Sequence, residues 1–214
     1  MLAFPLSPAA FAELLPVVDV RFRLASNQEL SGLGSGQILA AELAPSLWEA
    51  DVTLAPLKHG ESSEIQAKLE ALDGAIRSFY LGDSFRQYPR ADPGGSLLGS
   101  STPVIASIHA STRGLALSGL PAGYVVSAGD LFSFDYGTPA RRALHRICET
   151  VAADASGVTA EFEVRPHIRA GASAGLVVTL IRPTGLFGLR PGSVNPSMSS
   201  RVRRQLGFSV IQRL

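Results

Sequence analysis

The segment LWEADVTLAPLKHGESSEIQAKLEALDGAIRSFYLG, which runs from Leu47 to Gly82, decides the fold that we predict for this chain. Apolar side chains occupy every second position at its start, namely Trp48, Ala50, Val52 and Leu54. This period of two is typical of a strand with one buried face, so we place Trp48 in the core.

A helix should follow once Pro56 and Gly60 have interrupted the alternation. Its apolar positions recur at helical spacing, at Ile65, Leu69, Leu72 and Ile76. Ser62 or Ser63 is a suitable N-cap. Phe79 to Leu81 then predicts a return to the sheet, and the whole segment predicts one helix packed on an antiparallel sheet.

Before this segment, residues 1–16 form an apolar arm with three prolines, and such an arm should lie on its own domain or on a neighbouring chain. Val18 to Leu24 alternates and predicts a strand. Ser26 to Gly36 is rich in Gly and Ser and predicts a turn-rich loop, while Ile38 to Leu43 is a possible strand.

Asp83 to Thr102 has no apolar period and predicts a long exposed loop or a connection between domains. Regularly spaced short strands separated by turns follow from Pro103, which favours a small barrel or sandwich. After Pro183 we predict a strand at Leu186–Leu189, a polar loop at Pro191–Ser200 and a last strand at Leu206–Ile211.

The composition bounds the class of protein. Charged residues make up 17% of the 214 residues, below the usual ~25%, which suits a surface partly covered by a partner. The net charge of +1 argues against a general electrostatic role on nucleic acid or membrane. No apolar run is long enough to span a membrane, so we expect a soluble protein made in the cytoplasm.

No constellation of residues predicts catalysis, a cofactor or a metal. The four histidines lie far apart in the sequence: His59, His109, His145 and His167. Glu161 and Glu163 follow strand alternation, and Ser133, Asp135 and His145 lack a nucleophile-elbow motif. We therefore predict no enzyme, with no catalytic, cofactor-binding or metal-binding residue.

Two basic groups are either solvated surface or a docking surface for an acidic partner. The first contains Arg141, Arg142 and Arg146, and the second contains Arg201, Arg203 and Arg204. The single cysteine, Cys148, excludes an internal disulfide and is interpreted as a small buried apolar residue.

Several short patterns nevertheless occur in the order of one known family. They are SGLGSG at 31–36, LWEADVTL at 47–54, EIQAKLEALDG at 64–74, FYLGD at 79–83, AGDLFS at 128–133, LHR at 144–146, ADASGV at 153–158, FEVRPHIR at 162–169 and GFSV at 207–210. Together they resemble the distal tail proteins of phages, prophages and gene-transfer particles, which form the baseplate ring.

The resemblance implies a mainly β (α+β) fold. A belt domain at residues 1–102 and 184–214, a β-sandwich or barrel with one packed helix, would enclose an inserted small β-barrel at residues 103–183. It also implies a virion protein at the tail tip, a homo-oligomer that forms a hexameric ring between the tail tube protein and the baseplate hub. DNA would only pass through the lumen, and no cofactor or membrane is involved.

The ring would use the belt edges, for which Val18–Leu24 and Leu206–Ile211 are candidates, and the arm Leu2 to Phe11 should reach a neighbouring chain. The alternative is a carbohydrate-binding β-module for host-surface recognition. Such a module favours several exposed aromatic residues, and aromatic residues make up only 7% of this chain.

Overall fold

A computed structural model of the chain describes residues 1–198 and 203–214. It is mostly β, with 44% of the residues in strands and 7% in helices. The predicted mainly β class with one packed helix and a barrel-like second sheet is therefore confirmed.

The elements in chain order are a 3₁₀ turn at Ala12–Leu14, β1 (Val17–Gly32), β2 (Ile38–Leu54), β3 (Leu57–Lys58), α1 (His59–Glu70), β4 (Phe79–Leu81), β5 (Val104–Ile108), β6 (Gly114–Ser118), β7 (Val125–Val126), β8 (Leu131–Tyr136), β9 (Arg141–Ile147), β10 (Val151–Ala152), β11 (Phe162–Arg165), β12 (Val178–Thr179), β13 (Gly185–Leu189), β14 (Asn195–Met198) and β15 (Arg203–Gln212).

The first sheet has the strand order β1-β2-β15-β13-β4, and β3 and β14 also pair with β15. All of these pairs are antiparallel. β1 lies at an edge, as predicted for Val18–Leu24. Leu206–Ile211 lies in a strand as predicted, but its predicted place at an edge is wrong, because β15 lies between β2 and β13 and is paired on both sides.

β1 and β2 form a longer hairpin than predicted. The predicted loop over Ser26–Gly36 is wrong, since β1 continues to Gly32 and pairs there with Ile38. The turn itself is short: the Leu33 amide donates to the Gln37 carbonyl at 2.8 Å, and Gly36 has the left-handed φ of 83° that such a turn favours. β14 likewise lies in the predicted Pro191–Ser200 loop, whose last two residues lie outside the described ones.

Helix α1 packs on the first sheet, but its ends differ from the prediction. Neither Ser62 nor Ser63 is the N-cap, because the helix begins at His59 and both hydroxyls donate to the His59 carbonyl. Glu61 instead accepts a hydrogen bond from the Lys58 amide at 3.2 Å.

The apolar stripe of α1 is buried at Ile65, Leu69 and Leu72, which join the same core as Trp48 and Val52. Ile76 is 75% exposed, so its predicted place in the stripe is wrong. The helix ends at Glu70, and the left-handed residues Asp73 and Gly74 turn the chain away before Ile76.

The N-terminal arm lies on its own sheet. Leu6 and Phe11 are each only 1% exposed, and the Leu6 backbone bridges the edge strand β4 in parallel at Phe79. The Leu6 amide donates to the Ser78 carbonyl, and the Tyr80 amide donates to the Leu6 carbonyl, both at 3.0 Å. Leu6 and Phe11 thus anchor the arm on its own domain, and contact of Leu2 to Phe11 with a neighbouring chain stays a prediction.

The second sheet has six strands in the order β12-β8-β9-β11-β6-β5 and is nearly closed. Val104 bridges Val177, and the Ile105 amide donates to the Leu176 carbonyl at 3.0 Å, so the two end strands approach each other. Side chains inside this barrel-like sheet form a second core that includes Phe132, Phe162 and Val164.

The two sheets meet at Trp48. Its indole Nε1 donates to the Leu144 carbonyl on β9 at 2.7 Å, and Leu131 and Leu144 pack in the first core. The strands of the second sheet all lie within residues 104–179, between β4 and β13. The division into two domains that fold separately stays a prediction.

Candidate functional site

Ser133, Asp135 and His145 do not come together as a catalytic triad in the structure. Ser133 is fully buried, and its hydroxyl accepts a hydrogen bond from the Thr184 amide at 3.4 Å. Asp135 is exposed and binds the Arg142 guanidinium, with Nη2 to Oδ2 at 2.8 Å. His145 pairs across the sheet with Phe132, one position away from Ser133, so the two side chains lie on opposite faces of the sheet.

His145 is an internal histidine of the barrel. Its ring stacks on Phe132 and Phe134, with ring centroids 5.4 and 5.3 Å away. Nδ1 donates to the Pro166 carbonyl at 2.8 Å, and the buried Nε2 has no hydrogen-bond partner among the described residues. Burial lowers the pKa of His145 to about 4. The imidazole is therefore neutral and contributes packing to the core.

The described residues contain no group of three or more His, Cys, Asp or Glu side chains that could hold a metal ion. His59 and His109 are exposed, and His167 is half-buried. Glu163 binds Arg165, and Glu161 accepts a hydrogen bond from the Ser107 hydroxyl at 3.1 Å.

Most of the two basic groups is engaged within the chain. Arg142 binds Asp135 and also donates to the Thr184 hydroxyl at 3.1 Å. The Arg146 guanidinium lies over the Trp48 ring, 4.8 Å from its centroid. Arg204 donates to the Gln66 side chain at 3.2 Å, whereas Arg201 lies outside the described residues. These contacts leave less charge for an acidic partner than the sequence alone predicts.

Cys148 is exposed, so its predicted burial is wrong. It follows Ile147, the last residue of β9, and Ile147 takes the inward position. Trp48, by contrast, is fully buried as predicted.

The most unusual surface is the outer part of the β1–β2 hairpin, residues 25–46, which we call the hairpin extension. β15 pairs with β2 only as far as Glu49, so beyond that residue β1 and β2 pair with each other alone among the described strands. At about 3.3 Å per residue, the strand from Glu49 to Ile38 extends roughly 35 Å.

The hairpin extension exposes five large apolar side chains, at Leu30, Leu33, Ile38, Leu39 and Leu43. Near the tip they occupy both faces: Gly32 pairs with Ile38 and Ser31 with Leu39, so Ile38 and Leu30 lie on one face and Leu39 on the other. Several exposed large apolar side chains in one hairpin are typical of a surface that another molecule covers. The sequence signal for this surface is the apolar run at Ile38–Leu43, which by itself predicts only a possible strand.

The base of the hairpin extension contacts the second sheet. The Arg169 guanidinium donates to the Ser46 carbonyl at 3.4 Å. Gln28 and Glu42 line a cleft of about 210 Å³ with Arg165 and His167 of the barrel. Glu29 and Glu42 are the charged residues of the extension, which carries no Lys or Arg.

The outer edge of β1 is also open. Among residues 1–198 and 203–214, β1 pairs with β2 on its inner side and with no strand on its outer side. The opposite edge of the sheet, at β4, is partly covered by the bridge from Leu6. The sheet therefore presents two different edges, one open and one shielded.

The chain matches no protein-family model, and no curated protein matches it. Among the described residues, none of the helices has the length and apolar character needed to cross a bilayer. The arguments for function accordingly come from the order of the sequence motifs and from the surfaces described above.

Proposed function

We propose that this protein is a structural subunit of the distal tail type, in the tail of a phage or a gene-transfer particle. Six copies form a ring that joins the tail tube to the baseplate hub, and DNA passes through the central hole. The protein performs no chemistry in this role. The ordered family motifs motivate the proposal, and the surface of the first sheet supports it.

The observation that carries the proposal is the hairpin extension with its exposed apolar residues. Complete burial of a large aliphatic side chain is worth about 1.5–3 kcal/mol. A monomer leaves five such side chains of one protruding hairpin exposed to water and so lacks this favourable free energy of burial. Association with further copies of the chain would recover it, which is the ordinary origin of an oligomer interface.

The open edge of β1 supports a cyclic arrangement. A ring of identical subunits uses a heterologous interface, in which each copy offers two different surfaces. The β1 edge with the hairpin extension is one such surface, and the shielded β4 side of the same sheet is the other. An edge of 16 residues left open in a monomer would also invite uncontrolled pairing, which a closed ring removes.

The first test measures the mass of the purified full chain in solution by analytical ultracentrifugation. The expected result is a hexamer or another closed ring. Leu43→Glu should shift the mass towards the monomer, since it places a charge in the proposed interface. Leu97→Glu is the matched control, because Leu97 and Leu43 are each 62% exposed and Leu97 lies outside the hairpin extension. A wild-type monomer at every concentration would contradict the ring.

The second test locates the protein by imaging intact particles in which it carries a label. The label should occur only at the tip of the tail. Its presence in the capsid, or along the whole tail, would contradict the proposed position even if the isolated protein forms a ring.

A further inference from the structure

A groove of about 490 Å³ lies between the segment that follows β4 and the second sheet. The segment at residues 85–90 forms one wall, and the turn before β8 at residues 128–131 forms the other. Leu131 and Leu180 are buried at its floor. This volume falls within the range of small-ligand sites, about 300–1,000 Å³.

Phe85 gives the groove an exposed aromatic surface. Its side chain is 63% exposed, although an aromatic ring of this size is normally among the best-buried groups of a protein. Its amide donates to Asp83 Oδ1 at 3.0 Å, which fixes the backbone that carries the ring. The ring is therefore an exposed flat surface, carried by a hydrogen-bonded backbone, at the mouth of the groove.

Two exposed arginines, Arg86 and Arg90, lie on the same wall. Arg90 is exposed and makes no ion pair within residues 1–198 and 203–214. Arg86 has only a distant contact, 4.0 Å from its Nε to Asp83 Oδ2, with 64% of its side chain exposed.

Asp130 supplies a fixed acceptor opposite these cations. Its Oδ1 accepts a hydrogen bond from the Arg90 amide at 3.0 Å, and its Oδ2 accepts one from the Ser127 amide at 3.1 Å. A carboxylate has about four lone-pair positions, so roughly two remain for hydroxyl donors of a ligand.

The comparable groove of about 470 Å³ beside Pro183 lacks this character. Its two arginines already have acidic partners: Arg142 binds Asp135, and the Arg182 guanidinium lies 3.9 Å from Glu13. Arg90, whose guanidinium has no ion pair among the described residues, therefore distinguishes the groove at Phe85.

We propose that this groove binds a carboxylated sugar residue, of the uronic or sialic acid class. The sugar carboxylate binds the guanidinium groups of Arg86 and Arg90, a pairing that is strong and directional. Ring hydroxyls donate to Asp130, and the apolar face of the sugar packs on Phe85. A doubly charged phosphate fits less well, because the fixed Asp130 carboxylate repels two negative charges more strongly than the single charge of a sugar carboxylate. This inference does not rest on the proposed hexameric assembly, since one copy of the chain contains the whole groove.

The experiment titrates the full chain with a short galacturonate oligosaccharide and follows binding by NMR or calorimetry. The same oligosaccharide with methyl-esterified carboxylates is the matched neutral ligand, and AMP tests a phosphate-bearing ligand. Binding of the acid form, with at least tenfold weaker binding of the ester, is expected, since charged hydrogen bonds contribute on that order.

Arg90→Gln and Phe85→Ala should each weaken binding about tenfold. Arg113→Gln, at an exposed arginine outside the groove, should leave the affinity unchanged. The thermal midpoint of each variant checks that these exposed substitutions leave the fold intact. Equal binding of acid and ester, preference for AMP, or absence of binding at millimolar ligand would each overturn the proposal.

Discussion

Acidification should destabilise this protein through His145. The ring is 2% exposed between Phe132 and Phe134, and its Nδ1 is engaged with the Pro166 carbonyl. A proton on Nε2 would be buried without an acceptor, and the charge of Arg169 opposes it as well. Burial therefore favours the neutral ring and lowers its pKa to about 4, from 6.5 in the unfolded chain.

The difference in proton binding between the folded and unfolded chain decides whether stability rises or falls with pH. Between pH 6.5 and about pH 4 the unfolded chain binds a proton at His145 that the folded chain does not bind, so stability falls as the pH falls. Linkage between these two pKa values predicts a loss of about 2 kcal/mol in the free energy of unfolding from pH 7 to pH 5, and about 3 kcal/mol in total.

Urea denaturation at pH 7 and at pH 5, followed by far-UV circular dichroism at one protein concentration, measures this difference. His145→Phe keeps an aromatic ring between the two phenylalanines and removes the titrating group, so about 2 kcal/mol of the pH dependence should disappear. His109→Gln, at an exposed histidine, should retain it. An equal pH dependence in wild type and His145→Phe would refute the reasoning.

Further predictions concern packing. Leu69→Ala should cost about 2–5 kcal/mol of unfolding free energy, whereas Ile76→Ala should cost less than about 0.5 kcal/mol, because only Leu69 is buried. Trp48→Phe removes the donor to the Leu144 carbonyl and should cost about 1–3 kcal/mol in the same denaturation assay. Residues 103–183 expressed alone should give a cooperatively folded β-protein by circular dichroism and thermal melting, and a disordered product would argue for one continuous domain.

Local periodicity predicted the parts of the fold whose signal lies within a few neighbouring residues. The alternation from Trp48 to Leu54 was placed correctly because one face of this strand is apolar. The helix was found from its apolar spacing, but that spacing continues to Ile76 after the chain has left the helix. Asp73 and Gly74 adopt left-handed backbone conformations that turn the chain out of the helix direction, and apolar spacing alone does not reveal them.

The length of the hairpin was missed because β1 continues through residues with a low tendency to form strands. Asn27, Ser31 and Gly32 are typical of turns, yet each pairs with a residue of β2. Pairing with a long partner strand overrides local preference, and the partner is not visible in the local pattern.

The central position of β15 and the groove at Phe85 were also out of reach. Both bring together residues far apart in the chain: β15 pairs with β2, and Arg90 meets Asp130. Short sequence motifs do not indicate contacts between residues so far apart in the chain. The exposed arginines and Phe85 lie in a segment whose composition predicted a long exposed loop or a connection between domains, and no binding site.

The position of β15 has a consequence for synthesis on the ribosome. Trp48 on β2 and Gln212 on β15, whose side chain accepts a hydrogen bond from the Trp48 amide, lie 164 residues apart. Within the part of the chain that the structure describes, the barrel strands between them pair only with one another, within residues 104–179, so the barrel can be complete while the first sheet still lacks its central strand. Until β15 emerges, the inner edge of β2 and the apolar hairpin extension both remain available to wrong partners. The nascent chain is therefore most prone to aggregate late in translation, when a chaperone that covers exposed strands would help it most.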